Sequence, residues 1–531
     1  MTGVLEDTVI LVDPRVCGVG IDLDMLVTAL RGLGTGRTML VPGLARHPEL
    51  LTGTVKGSGA RKAVVVTADF ERPPISELRT WGAAGGLAPL RVQAVALDIL
   101  RARRSPGERS AYAVRMVRAA LAALDEPEAA EVGRRPVGAS LSRRALLGGR
   151  ATTWVPVVAV DARSCLGAPR CERCVETCPV DALQIREDVT STAPVVNPSL
   201  CQACAQCLDV CPSGALTLDG YDPGTLSQRL RALLAGGDGE GAPALIISCQ
   251  SAAGAVHRLG ERRGLPGWLL LELTCLGAVG SAWYLAALAV GARTVQVLPC
   301  ARCRDSASLA EGLHFTQRLL AALGDLDAAR RVGVLPAAGS PLRRAIRAAE
   351  GLTALVQDTE ADRMPAPGSI RTTARVAGWA VGELQRALVR LVQGRDEGPP
   401  VIQGEGAPLG VLRAAPGCTA CGVCARSCPS VALSLSAGLG SIELVLDPAA
   451  CTGCGVCVQT CPEAVLTVTP GVDLDLLAGG CLPIARAWAA RCLDCGEIVP
   501  ALPAAGQLTS LPAALANRCP PCRRAALVVT G

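Results

Sequence analysis

The sequence predicts a multidomain chain that mixes α/β and α+β units, and three observations predict it. Its 531 residues exceed what one hydrophobic core organises, so several domains are expected. Sixteen of its 26 cysteines fall in four runs of closely spaced thiols, each run closed by Cys-Pro. Three apolar, strand-like runs end one after another in cysteine between residues 244 and 300. The units expected in order are an amino-terminal α/β domain (1–130), a cysteine-rich module (151–222), a parallel-sheet α/β middle domain (243–336), a helical segment (337–396), a second cysteine-rich module (410–470) and a cysteine-knuckle tail (475–531).

Composition removes several classes of function. Aromatics are 2% of the chain, too few for a surface that stacks on nucleic-acid bases. His47, His257 and His314 are the only histidines, which leaves little room for imidazole-based metal or acid-base chemistry. The formal net charge of +5 counts every cysteine as neutral. Metal ligands are thiolates, and the sites derived below would bring the loaded chain to roughly −7, so basic charge gives no argument for nucleic acid. Closely spaced cysteines in a long chain read as metal sites, not disulfides. The start MTGVLEDTVILVD has no basic stretch ahead of its short apolar run, and the twin arginines of SRRALLGG (142–149) are internal, so a cytoplasmic location is expected.

Residues 1–130 open with TVILVD (8–13) and KAVVVTAD (62–69), compact β-branched runs, and close with RSAYAVRMVRAALAAL (109–124), apolar at helical spacing with arginines opposite. The layout resembles the amino-terminal domain of the heterodisulfide reductase A subunit, through VILVDPRVCGVG, AVVVTAD, AAGGLAPL and the Arg-rich helix. That family places an iron-sulfur cluster here with several cysteines. Cys17 stands alone, so the resemblance implies a domain whose cluster is lost, with Cys17 a packed or adventitious thiol. GLGTGR (32–37) lacks the spacing and context of a dinucleotide loop. Residues 126–150 read as a linker.

The first module carries Cys165, Cys171, Cys174 and Cys178, then Cys201, Cys204, Cys207 and Cys211. The second repeats the device with Cys418, Cys421, Cys424 and Cys428, then Cys451, Cys454, Cys457 and Cys461. Three of the four runs have the spacing C-x2-C-x2-C-x3-C-P of two-cluster bacterial ferredoxins, in which the fourth thiolate of each run ligates the other cubane, and the run at 165–178 differs only by a longer first loop. Crossing the first module in this way groups Cys165, Cys171, Cys174 with Cys211, and Cys201, Cys204, Cys207 with Cys178. Both modules are therefore expected to be ferredoxin-like and to hold four 4Fe-4S clusters between them. WVPVVAVD leads into the first as a strand, ALQI and ALTL follow its runs, and LSQRLRALLAG and GGDGEGAP (236–243) read as a helix and a flexible link.

In the middle domain ALIISC, WLLLELTC and TVQVLPC end at Cys249, Cys275 and Cys300, with Cys303 one loop later and helical stretches between. This is a βαβαβ pattern with a buried parallel sheet, and open α/β sheets bind ligands at the carboxyl ends of their strands. Residues 273–291 carry no charge, but Gly277, Gly280 and Gly291 interrupt the stretch and Glu272 and Arg293 bracket it, so a buried strand and helix are expected in place of a membrane span. The segment resembles the delta subunit of methyl-viologen-reducing hydrogenase, through ISCQSAAG, TCLGAVG, GARTVQVLPCARC and EGLHFTQRLLAALG. The resemblance implies a 2Fe-2S cluster on Cys249, Cys275, Cys300 and Cys303. It departs from the family where a further cysteine usually stands, at Gln250, Ser251 or Ala252.

SPLRRAIRAAEGLTALVQ and RVAGWAVGELQRALVRLVQG have helical apolar stripes, and DEGPPVIQGEGAP reads as a linker. The tail holds Cys492, Cys495, Cys519 and Cys522 as two C-x2-C knuckles, suited to a tetrahedral structural zinc in a zinc-ribbon-like fold. Rubredoxin-type iron is the alternative. Cys17 and Cys481 remain unassigned.

No flavin fingerprint, Ser-His-Asp set or open metal site accompanies these cysteines, so no catalytic residue is assigned. The expectation is an electron-relay subunit of an oxidoreductase. It would work between a hydrogenase, formate dehydrogenase or flavoprotein donor and a heterodisulfide-reductase-like acceptor. Two alternatives stay open: a disulfide reductase using Cys300 and Cys303, whose thiols Arg302 and Arg304 would acidify, and an iron-sulfur scaffold.

Overall fold

The computed structural model describes residues 7–34, 37–68, 75–101, 105–125, 132–136, 152–168, 170–186, 192–234, 242–263, 265, 267–304, 307–336, 339–349, 352, 355, 375–376, 379–380, 387–388, 391, 401–438, 440–500, 515 and 518–529. The amino-terminal domain alternates β1 (Thr8–Val12), α1 (Leu23–Arg31), β2 (Arg37–Leu40), α2 (Leu50–Ser58), β3 (Lys62–Thr67), α3 (Ile75–Ala84), β4 (Val92–Ala96) and α4 (Pro106–Ala123). All four strands are parallel in the order β2-β1-β3-β4. Every residue of β1 is buried, as a central strand covered on both faces requires. Ser105 and Glu108 form a reciprocal capping box that fixes the start of α4. Cys17, expected to be packed or adventitious, is exposed.

β5 (Val132–Pro136), placed in a linker by the sequence, pairs antiparallel with β6 (Thr152–Pro156). The first cysteine module then runs through β7 (Ala159–Val160), α5 (Arg173–Glu176), β8 (Leu183–Gln184), β9 (Val195–Val196), α6 (Gln206–Val210) and β10 (Leu216–Thr217). β7 pairs with β10 and β8 with β9, both antiparallel, so each cysteine run is stapled by a short ladder. α7 (Pro223–Leu234) follows and packs along α4.

The middle domain comprises β11 (Ala244–Cys249), α8 (Gln250–Arg263), β12 (Trp268–Leu273), α9 (Ser281–Ala289), β13 (Thr294–Leu298), α10 (Ala301–Arg304), α11 (Ala307–Ala322), α12 (Ala328–Arg331), β14 (Val332–Val334) and α13 (Gly339–Ala348). Its strands are parallel in the order β12-β11-β13-β14, the same second-first-third-fourth order as the amino-terminal sheet. The uncharged stretch divides as its glycines dictate, β12 ending at Leu273 and the wholly buried α9 starting at Ser281. Among the described residues no helix is long and apolar enough to cross a membrane. One continuous core joins the amino-terminal domain, the first module and the middle domain and reaches Ile402, Leu409, Val472 and Leu474 of the second module.

The segment expected to be helical through 396 departs from that expectation. α13 is helical, but β15 (Arg375–Val376) and β16 (Trp379–Ala380) pair antiparallel. β-branched and aromatic residues on either side of Ala377-Gly378 favour extended pairing over a helix that the glycine would weaken. The rest of RVAGWAVGELQRALVRLVQG falls largely outside the described residues.

The second module is built from β17 (Val401–Gln403), β18 (Gly410–Ala414), α14 (Val423–Ser427), β19 (Leu433–Ala437), β20 (Ser441–Leu446), α15 (Val456–Thr460), β21 (Leu466–Asp473) and α16 (Leu474–Gly479). β21 pairs with both β17 and β18, which draws part of the expected linker into the module. β22 (Leu482–Arg491) and β23 (Ile498–Pro500) extend the β19-β20 ladder, and α17 (Pro520–Val529) ends the description. The second module and the tail therefore share one antiparallel sheet. β20 alternates half-buried and buried residues, and its free edge accepts β22.

Candidate metal centres

Three small cavities group the cysteines of the modules. One is lined by Cys178, Cys201, Cys204 and Cys207. Another is lined by Cys428, Cys451, Cys454 and Cys457, and a third by Cys418, Cys421, Cys424 and Cys461. In each, the fourth cysteine of one run joins three from the other. The remaining thiols of the first module form the matching set, Cys174 lying in the field of Cys211, Cys165 and Cys171.

The backbone around these sets repeats a strained shape. The residue two after the first cysteine of every run has positive φ: Gly167 at 68°, Ala203 at 52°, Ala420 at 50° and Gly453 at 68°. So does the residue three after every fourth cysteine: Asp181, Gly214, Val431 and Ala464. An alanine, aspartate or valine in the left-handed region is costly and persists only where the surroundings impose it. Here the curl brings amides onto sulfur, Ala420 N donating to Cys418 Sγ at 3.4 Å and Ala182 N to Cys178 Sγ at 3.2 Å.

Burial, reinforced by neighbouring thiols, pushes Cys424 and Cys451 up to about 11 and Cys174 and Cys457 to about 12. Such thiols lose their protons to a metal that replaces them, not to water. Walls dominated by sulfur, with amides aimed at the sulfurs, suit iron-sulfur cubanes, and Glu463 is the one carboxylate lining the Cys418 set among the described residues.

In the middle domain the carboxyl ends of β11, β12 and β13 bring four thiols together. Cys275 Sγ lies 3.2 Å from Cys303 Sγ, and Cys300 Sγ 3.4 Å from it. The sulfurs of Cys249, Cys300 and Cys303 lie within 4.8 Å of one another. Contact with Cys303, then burial, raises the Cys249 thiol, whereas contact with Cys303 lowers Cys275. Tyr221, between the first module and α7, hydrogen-bonds through its hydroxyl to both the amide and the carbonyl of Cys275. Its ring meets Trp283 edge-on at 6.3 Å.

The middle site abuts the first module. A Cβ on Gly277 would strike the carbonyl of Cys204, so the two loops meet backbone to backbone. Arg302 Nη1 donates to Gln202 Oε1 at 3.2 Å, and Ser308 Oγ donates to Asp209. His257 is held between Asp98 at 2.6 Å and Glu272 at 3.0 Å, joining the amino-terminal domain to β12.

The tail knuckles also converge, the sulfurs of Cys492, Cys495, Cys519 and Cys522 lying within 4.8 Å of one another. The amide of Cys519 donates to Cys492 Sγ at 3.3 Å, and Arg518 Nε donates to Asp494 Oδ2 at 2.7 Å across the two knuckles. Four thiols without an open position fit a tetrahedral structural ion. Cys481 is exposed and apart from the set.

Sequence reasoning missed Tyr221, Arg173, Asp98 and the strained alanines. Only the alanines had a signal, because a small residue stands two places after the first cysteine in all four runs.

Residues 157–215 and 417–465 match the 4Fe-4S dicluster domain family. An uncharacterized ferredoxin of Methanocaldococcus jannaschii is 37% identical over 62 residues, 12% of this chain and 94% of that protein. A ferredoxin of Methanothermococcus thermolithotrophicus is 36% identical over 61 residues, 12% of this chain and 95% of that protein.

Proposed function

The chain belongs to the 4Fe-4S dicluster ferredoxins, and from that premise we propose that it is the electron-relay subunit of an oxidoreductase complex. Four 4Fe-4S clusters would sit in the four crossed thiol sets of the modules, one 2Fe-2S cluster on Cys249, Cys275, Cys300 and Cys303, and one zinc in the tail. Iron-sulfur centres supply one-electron oxidation and reduction at potentials set by charge, hydrogen bonds to sulfur and exposure. The chain does the rest. It buries the thiols, aims amides at them and stacks one site on the next.

The observation that carries this reading is the contact of Gly277 with the Cys204 carbonyl. It sets the middle-domain site directly against a module set, with no room for a separate partner between them. Complex partners would be a hydrogenase, formate dehydrogenase or flavoprotein as donor and a heterodisulfide-reductase-like protein as acceptor. The disulfide-reductase alternative has less support. Cys249 and Cys303 are buried, at 1% and 2% exposure, and Arg302 is turned to Gln202.

Anaerobic purification from the native host with metal analysis is the test. About eighteen iron and one zinc per chain, together with redox-protein partners, are expected. A chain that carries no iron and comes down alone would end the relay reading.

A further inference from the structure

The two cysteine modules touch at a ligand-bearing loop. Arg173 lies between Cys171 and Cys174, and its Nη2 donates to the carbonyl of Cys454 at 2.8 Å. Around this bond an open cleft sets Cys171 and Glu176 of the first module against Cys454 and Gln459 of the second. The contact is held from a second side. Ser281 Oγ in α9 donates to the carbonyl of Gly406 at 2.6 Å, just after β17. Gly406 has φ +77° and lies so close to the backbone of Glu311 that a Cβ has no place there.

These contacts order the sites. Cys204, in the Cys178–Cys201–Cys204–Cys207 set, faces the middle domain at Gly277. Cys171 and Cys174, in the other set of the same module, flank the arginine that faces Cys454. Cys454 belongs to the nearer set of the second module, and Cys418, Cys421, Cys424 and Cys461 lie beyond it. Among the described residues these contacts place the sets in one row.

Resting on the relay reading, we infer that the sites form one unbranched electron path, that Arg173 bridges the modules at Cys454, and that the middle-domain thiols and the Cys418 set are its two ends. One electron crosses at the bridge: one module is oxidised by it as the other is reduced, and no bond or proton moves. A low-potential one-electron reductant supplies it, dithionite in the test below.

The test uses the anaerobically purified full chain with its iron, fully reduced with dithionite and read by electron paramagnetic resonance at two microwave frequencies. Wild type is expected to show magnetic interaction beyond that within each module. Arg173→Glu, which sets a carboxylate against the Cys454 carbonyl, lowers the added interaction while iron and sulfide content stay at the wild-type level. Arg173→Lys, which keeps a donor cation, restores part of it. Arg173→Glu combined with Gly406→Val disturbs both polar contacts and lowers the added interaction further, while the apolar core around Ile402 and Leu409 keeps the modules joined. An unchanged spectrum in Arg173→Glu and in the double variant, each with full iron, overturns the bridge and leaves the relay reading standing. Absence of iron from the wild-type chain overturns the relay reading itself.

Discussion

The Tyr221 hydroxyl donates to the carbonyl of Cys275 and accepts from its amide, the latter bond 2.8 Å long. A single phenol therefore satisfies both backbone groups of a residue whose side chain belongs to the middle-domain thiol set. Burial raises the phenol well above its ordinary range, so it remains a donor at any working pH. Tyr221→Phe leaves two buried backbone groups without a partner, at a cost of about 1–3 kcal/mol. Lower thermal stability is expected, with a change in the visible spectrum of the middle centre and none in the module centres.

A pH dependence follows from His257. Burial pulls this imidazole down, but the carboxylates of Asp98 and Glu272 outweigh it, and it sits at about 9 against an ordinary 6.5. The folded chain therefore holds the proton more tightly than the unfolded chain does. The stabilisation is complete below pH 6.5 and disappears as pH rises through about 9. Thermal unfolding followed from pH 6 to 10 is expected to show a loss of stability on the alkaline side that His257→Gln abolishes.

The left-handed alanines are expected to respond to glycine. Ala420, at φ 50°, gains from Ala420→Gly by about 1 kcal/mol, because glycine adopts that shape without a Cβ clash. Ala420→Val is expected to prevent assembly of the second module. Urea titration of the iron-loaded chain, read by loss of its visible absorbance, separates the two.

In the tail, Cys519→Ser removes a thiol and also disturbs the loop whose amide reaches Cys492. Loss of one zinc per chain is expected, with the module iron retained. Mass spectrometry for metals gives both counts, and a wild-type tail that holds iron would select the rubredoxin alternative.

Legibility in the sequence followed the range of the interaction. Cysteine spacing is local, so the ferredoxin character of the modules was readable from the runs at 165–211 and 418–461. The buried strands ending at Cys249 and before Cys275 and Cys300 were readable too, since each is a five- or six-residue apolar run, too short for a helix of ordinary length. Arg173 and Cys454 are 281 residues apart, and His257 and Asp98 are 159 apart. No local pattern announces either pair. The β15-β16 ladder was misread because apolar spacing in a short arginine-rich stretch suits a helix as well as a hairpin. The β20-β22 pairing was unreadable because nothing in β22 names its partner strand.

The two α/β domains share one strand order, and their registers can be laid over each other. Val12 pairs with Val66 as Ser248 pairs with Leu298, which puts Asp13, Gly43 and Ala68 where the middle domain has Cys249, Cys275 and Cys300. The Asp13 carboxylate is spent on its own loops, accepting from the amides of Arg15 and Ala45. The chain thus contains its own control for metal-site design. Cysteines installed at 13, 43 and 68 would reveal whether a sheet edge alone assembles a centre, or whether the recipe lies in the loops that leave it.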